Sequence, residues 1–542
     1  MGLLPGTVAF SVAKVPQTKM ILTGGGRTIW EIEAVACAFI LRRICRRIHL
    51  SGLNAKRLDS VAIDCLKGEF AFVSEPLNMS RRFWIYLSSV TMLSCLGTVL
   101  LFPSAAATTA TPPHPDPGRV VTIKINAHNG VPIHRLLYGI NYDWNAVPAA
   151  RIKAFAQSMR YLADATIVRY PGGWNAEAFN WNNNTERPWS KVSKVPGANP
   201  NTILKLFPEM SFITPSAGAI KNSAEAASVA ELSANLVQRY GSRVRFWEIG
   251  NEWWLQRGGK KNKAVRERNL KRYAHLLDVV VPEMKKADPA IRIFATAEWQ
   301  NPADMRRLRY LTGAGVWKQI YGVSLHTYCG IIRVLCSSLP AAIAKIRAAS
   351  GKSFIYSSEW AVVRHDTPRD FGIRNASYTV DAIRDMAFAG IQLGAYWPPV
   401  REIPALAFES ANYKIPFATG IVFGWMSRFY EGLALRVAGD TRAVAALDNG
   451  KLTVIVPSYS ERRTIFRISL RGTAMRRIVS ARVLFSDAPN ARVNAIPATI
   501  ATLPVRFIRV KDGETYVQFT LNPGIKGRGS AYEIARVVLA NR

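Results

Sequence analysis

Two glutamates stand where this chain concentrates its chemistry. Glu252 lies in the run Glu248-Ile249-Gly250-Asn251-Glu252-Trp253-Trp254, and Glu359 in Ser357-Ser358-Glu359-Trp360. Each closes an apolar segment and is followed by tryptophan. A pair of carboxyl groups among aromatic rings suits cleavage of a glycosidic bond. One carboxyl gives a proton to the leaving oxygen, and the other, ionised, meets the anomeric carbon of an oxocarbenium-like state. Flat rings cover the C–H faces of sugars. Arg169-Tyr170-Pro171-Gly172-Gly173-Trp174, His326-Thr327-Tyr328 and Tyr396-Trp397 end other apolar segments. The competing assignment makes Glu252 and Glu359 salt-bridge partners on a rim. Glu248 reads as a partner for Arg169, His326 as a hydrogen-bonding wall residue, and Glu298 as the third-choice carboxylate. Asp143 and Trp144 end the first strand and are placed to touch substrate or to pack a loop. No His/Cys/Asp cluster has metal-ligand spacing, so neither a catalytic metal nor a cofactor is expected.

The elements that must position these residues are legible. Apolar strands at 137–142, 165–170, 210–216, 244–250, 291–297, 322–328, 353–360 and 391–397 alternate with amphipathic helices, among them 224–240 and 264–286. Strands that are apolar throughout fit a parallel sheet covered by helices. Eight strand–helix pairs predict an α/β fold, a (β/α)8 TIM barrel over 137–431, whose chemistry sits at the C-terminal ends of the strands. An open doubly wound sheet would want a glycine-rich phosphate turn after an early strand, and there is none. Glu252 and Glu359 are 107 positions apart but end the fourth and seventh strands, so they face each other across the mouth. The expected carboxyl separation is about 5–5.5 Å, the spacing of a configuration-retaining pair. From 432 to 542 short β runs follow, with a hairpin signal at Asp448-Asn449-Gly450. They predict an accessory all-β sandwich, joined by an N-terminal strand within 119–136.

IGNEWW on the fourth strand and SSEW on the seventh resemble the acid/base and nucleophile motifs of clan A glycoside hydrolases. RYPGGWNAEAFNW (169–181) and SLHTY (324–328) are most similar to family 51 α-L-arabinofuranosidases, with families 39, 30 and 79 as close seconds. The resemblance covers roughly residues 120–542. It implies that Glu252 is the general acid/base and Glu359 the nucleophile. It implies that Asn251 holds the sugar 2-hydroxyl, that Tyr328 hydrogen-bonds Glu359, and that Arg169 lies beneath as a positive charge favouring the carboxylate. His326 and Trp397 would line the sugar subsite, and Trp174 would add a ring to the substrate-binding face. Trp174 departs from the small or cysteine-bearing loop expected after PGG in family 51.

Composition sets the surroundings. The chain has 542 residues, 49% of them hydrophobic and 20% charged, which excludes a mostly disordered protein. Lys and Arg number 71 against 37 Asp and Glu, a net charge of +34 that favours anionic partners. The basic run Arg257–Arg272 follows the Glu252 motif, and it reads either as a solvated helix face or as a hold on an acidic polysaccharide. Export and the lack of a nucleic-acid module argue against nucleic acid. Residues 83–102 are uncharged and apolar, preceded by Arg81-Arg82 and followed by Ala105-Ala106-Ala107. That is the pattern of a signal peptide over 79–107, with a Pro-rich linker at 108–118. Met79 would then be the initiator and 1–78 a mis-called upstream extension. In the alternative, 83–102 stays uncleaved as a membrane anchor. Both place the enzyme outside the cytoplasm, secreted or periplasmic, with a carbohydrate substrate. Cys329 and Cys336 would form a short bridge there or stay as thiols. The rival functional class is a non-catalytic polysaccharide-binding protein on the same scaffold.

Overall fold

The computed structural model describes residues 119–143, 147–181, 185–186, 197–207, 209–329, 336–362, 373–397, 399–400, 417–439, 442–458, 462–485, 498–510, 514–522 and 533–541. The predicted extension, signal segment and linker lie outside the described residues, as does Trp144. Among the described residues no helix is long and apolar enough to cross a membrane.

After a first strand β1 (Arg119–Pro132), eight parallel strands close a barrel: β2 (Gly139–Asn141), β3 (Val168–Tyr170), β4 (Met210–Thr214), β5 (Phe246–Ile249), β6 (Arg292–Ala297), β7 (Gly322–His326), β8 (Phe354–Trp360) and β9 (Leu393–Tyr396). Each pairs with its sequence neighbours, and β9 pairs with β2 to complete the ring. The fold is therefore a (β/α)8 barrel with a separate all-β domain, as the strand pattern predicts.

Side chains alternate across each barrel strand. On β5, Trp247 and Ile249 point outward into the layer of helices, and Phe246 points inward. Ile167, Phe246, Phe294, Tyr356, Leu393 and Ala395 form a fully buried apolar plug inside the barrel. Above it the interior turns polar, with Arg169, Glu248, Thr296 and Ser358 all buried.

The helices follow from apolar periodicity and local caps. Helix α1 (Ala226–Tyr240) buries Ala226, Val229, Ala230, Ser233, Leu236, Val237 and Tyr240, the stripe of a helix lying on a sheet. Helix α2 (Lys263–Ala287) starts where the Asn262 side chain accepts the Val265 N–H at 3.1 Å. Helix α3 (Pro302–Leu311) starts the same way at Asn301, with Pro302 at a position that needs no N–H donor. The last barrel helix, α4 (Ala418–Phe429), is buried through Ser427. Its Phe423 stacks on Trp360 and meets Tyr138 and Tyr396 edge-on, each at 6.0 Å between ring centroids.

The all-β part comprises β10 (Leu433–Ala438), β11 (Val444–Asp448), β12 (Lys451–Pro457), β13 (Thr464–Ser469), β14 (Arg477–Phe485), β15 (Thr499–Thr502), β16 (Arg506–Arg509), β17 (Thr515–Leu521) and β18 (Ile534–Ala540). With β1 they form one ten-stranded sheet, in the order β15-β14-β18-β12-β11-β10-β1-β13-β17-β16. β1 runs parallel to β13 over Arg119–Ile123 and antiparallel to β10 over Lys124–Pro132, with a bulge between Asn126 and Gly130. Residues from both halves share one core, including Ile123, Leu435, Val454, Phe466, Val517 and Val537, so the sheet folds over on itself. The alternate residues Ala434, Val444, Ala446, Ile455, Leu484 and Ile534 join the barrel's core instead. Asn449 and Gly450 take φ of 45° and 71°, the left-handed pair that a tight hairpin turn requires.

Phe423→Ala should remove the ring on which Trp360 and Tyr396 pack. The expected loss is about 3–5 kcal/mol of unfolding free energy, measured by denaturant titration.

Candidate active site

Both predicted glutamates reach the barrel mouth, each through an irregularity. Along β8, Tyr356 points inward, so unbroken alternation would send Ser358 inward and Glu359 outward. The pairing of β8 with β7 shifts between Ser357 and Glu359, and this bulge turns both side chains inward. At the end of β5, Gly250 (φ 72°) and Glu252 (φ 48°) are left-handed, and Asn251 and Glu252 both join the site. A Cβ on Gly250 would stand 2.3 Å from Ser216 Oγ, so only glycine fits. Glu252 holds its positive φ as a non-glycine, an uncommon state found where the surroundings enforce it.

Arg169 organises the mouth and is fully buried. Its Nε donates to Glu248 Oε2 at 2.6 Å, one terminal nitrogen to Glu359 Oε1 at 2.7 Å and Asn141 Oδ1 at 2.9 Å, and the other to Asn251 Oδ1 at 2.8 Å. Burial alone would lower its pKa, but Glu248 and Glu359 raise it, so it stays a cation. Glu248 is the partner of Arg169, as its strand position predicts. Its other oxygen accepts from Ser358 Oγ at 2.9 Å. Asn141 is in turn fixed by donating to the Ser358 and Ala395 carbonyls at 3.0 and 2.9 Å.

Glu359 Oε2 accepts the Tyr328 hydroxyl at 2.7 Å. Burial and then the charge of Glu359 hold the Tyr328 phenol well above its ordinary pKa, so it remains a donor. His326 stands between the two glutamates, with Nδ1 2.9 Å from Glu252 Oε1 and 3.3 Å from Glu359 Oε2. Burial works against a charged imidazole here, but Glu359 and Glu252 outweigh it and raise the pKa. One oxygen of each glutamate and a His326 nitrogen lie within 4.8 Å of one another. A cation could use that spacing, but the trio fits one poorly. Its atoms are engaged with each other, and the Arg169 charge sits beside Glu359. Among the described residues around the glutamates, Asn251 Nδ2 and His326 Nε2 are buried and keep no partner. Since Arg169 orients the Asn251 amide through Oδ1, its NH2 is left to donate elsewhere.

The aromatic residues divide. Trp254 is buried with its ring 5.6 Å from that of His326, and Trp253 stacks on Tyr273 at 5.5 Å. Trp397 is half-buried and covers the Pro171-Gly172-Gly173 turn. A Cβ on Gly173 would fall 2.6 Å from its ring. Trp174 is 44% exposed, and no hydrogen bond or ring contact among the described residues ties it to the glutamates. Asp143 is buried. Glu298 does not join the pair. It bonds Arg266 at 2.6 Å, and Arg266 also holds Asp304 at 2.6 Å. Arg272 donates to the Ile220 and Lys221 carbonyls, whereas Arg257, Lys260 and Lys261 are exposed. Cys329 and Cys336 form a disulfide next to Tyr328.

One residue escaped the sequence reading. Glu177, in the RYPGGWNAEAFNW motif, is buried and accepts the N–H groups of Ser216 and Ala217 at 2.6 Å each, that of Asn251 at 2.5 Å, and Ser216 Oγ at 2.7 Å. Burial raises its pKa against the pull of these bonds. It ties the segment after β3 to the ends of β4 and β5, and so holds the backbone from which Glu252 projects. The available signal was an acidic residue inside an otherwise apolar motif.

Glu177→Gln presents an NH2 to N–H donors in either orientation and should cost about 1–3 kcal/mol per donor left unpaired, measured by thermal unfolding. The raised pKa of His326 stabilises the folded state fully below pH 6.5, and that contribution is lost as pH rises through the folded-state value. Unfolding free energy followed from pH 5.5 to about 8.5 should fall in wild type more than in His326→Gln.

No family model matches this chain, and no curated protein matches its sequence. Solved structures match it by fold. A family 51 α-L-arabinofuranosidase from Bifidobacterium longum gives a TM-score of 0.56 at 15% identity, covering 79% of this chain and 100% of that one. The Thermotoga maritima α-L-arabinofuranosidase, solved with arabinose, gives 0.55 at 15% identity over 78% of this chain and 100% of that one. A family 44 endoglucanase from Clostridium thermocellum gives 0.50 at 14% identity, with 78% and 100% covered. This chain has the barrel-plus-β-domain fold of those glycoside hydrolases, most similar to that of family 51.

Proposed function

We propose that the protein is an exported, configuration-retaining glycoside hydrolase acting on a polysaccharide or oligosaccharide, in the manner of an α-L-arabinofuranosidase. The observation that carries this reading is the approach of Glu252 and Glu359 to within 4.8 Å, oxygen to oxygen. Retaining pairs stand about 5–5.5 Å apart, whereas inverting pairs leave about 6.5–9.5 Å for a water.

The supports of the two carboxyl groups differ as their roles require. Glu359 accepts from a guanidinium on one oxygen and a phenol on the other, which orients it as an ionised nucleophile toward the anomeric carbon. Glu252 is partly exposed and bonded only through His326 among the described residues, so it faces the leaving group and then incoming water. In the first step Glu359 attacks the anomeric carbon as Glu252 protonates the departing oxygen. In the second Glu252 takes a proton from water, which displaces Glu359. The Asn251 NH2, held through its carbonyl by Arg169, donates to the sugar 2-hydroxyl. Trp254, His326 and Trp397 supply walls of the sugar subsite, and Trp174 an exposed ring for a further unit. Arg257, Lys260 and Lys261, on the loop after Glu252, favour an acidic polysaccharide. The apolar segment 83–102 and its Ala-x-Ala end support a secreted or periplasmic location.

Glu359→Gln should abolish turnover. Glu252→Ala should lose about 10²–10⁴-fold on substrates with poor leaving groups while sparing activated aryl glycosides, and azide should rescue it as a glycosyl azide of retained configuration. Assays on aryl arabinofuranoside, xyloside, glucoside and glucuronide identify the sugar. Full activity of either variant would end the assignment.

A further inference from the structure

Arg536 stands apart from the other buried cations. It lies on β18 between Ala535 and Val537, both in the sandwich core, so its own side chain faces the barrel, as Ile534 does. There its guanidinium sits 3.9 Å from the ring centroid of Phe429 and 5.0 Å from that of Trp425, both on α4. It is 8% exposed and has no hydrogen bond or ion pair among the described residues; its Nε is buried and unpaired. Arg169, which is fully buried, is met by two carboxylates. Aromatic faces attract the cation but accept no hydrogen bond of ordinary strength from its N–H groups.

The nearest charges make the position more positive. Arg482 on β14 is the cross-strand partner of Arg536, so the two side chains leave the same face of the sheet. Arg428 is near the end of α4. Burial, Arg482 and Arg428 together push the Arg536 pKa down to about 10. Arg482 is exposed and anchored by a 2.6 Å bond to Thr502 Oγ1, and Arg428 by donation to the Tyr161 carbonyl. Each of these bonds uses one terminal nitrogen, and no bond among the described residues engages the other nitrogens of either guanidinium.

We propose that Arg536, Arg482 and Arg428 form an oxyanion-binding site in the seam between α4 and the β-domain, taking the carboxylate of an acidic sugar or a phosphate group. The planar fork of Arg536 supplies the floor, Phe429 and Trp425 hold it flat, and the two exposed arginines close on the anion from the rim. Such a site lies at the C-terminal end of α4. That end is opposite the catalytic mouth, because the helix runs back along the barrel from the strand ends. The anion would therefore bind independently of the glycosidic chemistry and clamp the barrel to its β-domain.

The test is thermal unfolding and calorimetric titration of the full chain with sodium phosphate or sodium glucuronate against sodium chloride at equal ionic strength. Saturable binding of at least one anion, with a rise in Tm beyond the chloride control, is expected. A response to glucuronate assigns the sugar carboxylate, and a response to phosphate alone assigns phosphate. Arg536→Met keeps the packing on Phe429 and should abolish the response. Arg482→Ala, an exposed change, should weaken binding by about tenfold through the loss of one charge-assisted hydrogen bond. The proposal is overturned if neither anion exceeds chloride, if Arg536→Met responds like wild type, or if Arg482→Ala binds with unchanged affinity.

Discussion

The guanidinium of Arg169 is the constraint around which the barrel mouth is built. Full burial of a cation is costly unless its N–H groups are met, and those of Arg169 are met inside the barrel. They are met by Glu248, Glu359, Asn141 and Asn251, which come from β5, β8, β2 and the end of β5. Three strands, β2, β5 and β8, are thereby held to β3 at one height. Two carboxylates against one guanidinium leave an excess negative charge, which the Tyr328 hydroxyl and the His326 imidazole offset from above. The same network that neutralises the interior leaves Glu359 with both oxygens engaged and its direction set. Glu252 lies outside the direct reach of Arg169 and remains partly exposed.

The barrel interior is graded from its base to its mouth. The plug of Phe246, Phe294, Tyr356 and Leu393 keeps water from the base, so the charges above rest on a low-dielectric floor. Hydrogen bonds there are stronger, and an unmet group is correspondingly more expensive. The buried amide nitrogen of Asn251 is such a group, and its position beside Glu252 makes it informative. It is a donor that no group among the described residues satisfies, fixed in orientation by an arginine, and the proposed function assigns it to a hydroxyl brought by substrate. Glu177 serves the same end from behind, holding the backbone of Asn251 where the chain leaves regular strand geometry.

The β-domain reaches the barrel through alternation. One face of its inner layer supplies the sandwich core, and the other sends Ile455, Leu484 and Ile534 into the barrel's helical layer. Arg536 follows that periodicity and is carried into an apolar seam that holds aromatic rings but no carboxylate among the described residues. β1 joins the two halves of the sheet, parallel to one neighbour up to Ile123 and antiparallel to the other from Lys124.

The eight strand–helix repeats, the later β region, the hairpin at Asn449-Gly450 and the placing of Glu252 and Glu359 at strand ends were legible in the sequence. Each of these is a local property: apolar periodicity, turn chemistry, or a carboxyl group at the end of an apolar run. The pairing of Arg169 with Glu248 was also legible, because both sit within strands that must point inward together. The tertiary structure alone decided how the glutamates aim. Strict alternation would send Glu359 to the outer face of β8, and only its register against β7 introduces the bulge that turns it inward. Glu252 and Asn251 likewise share one site because Gly250 and Glu252 are left-handed, with the Asn251 N–H held by Glu177 from the segment after β3. Glu298, which ends a strand as Glu359 does, was drawn instead to Arg266 on a neighbouring helix. Strand ends are readable from composition, but side-chain direction at a bulge or a left-handed residue depends on which neighbours are present, and those are set by the closed ring.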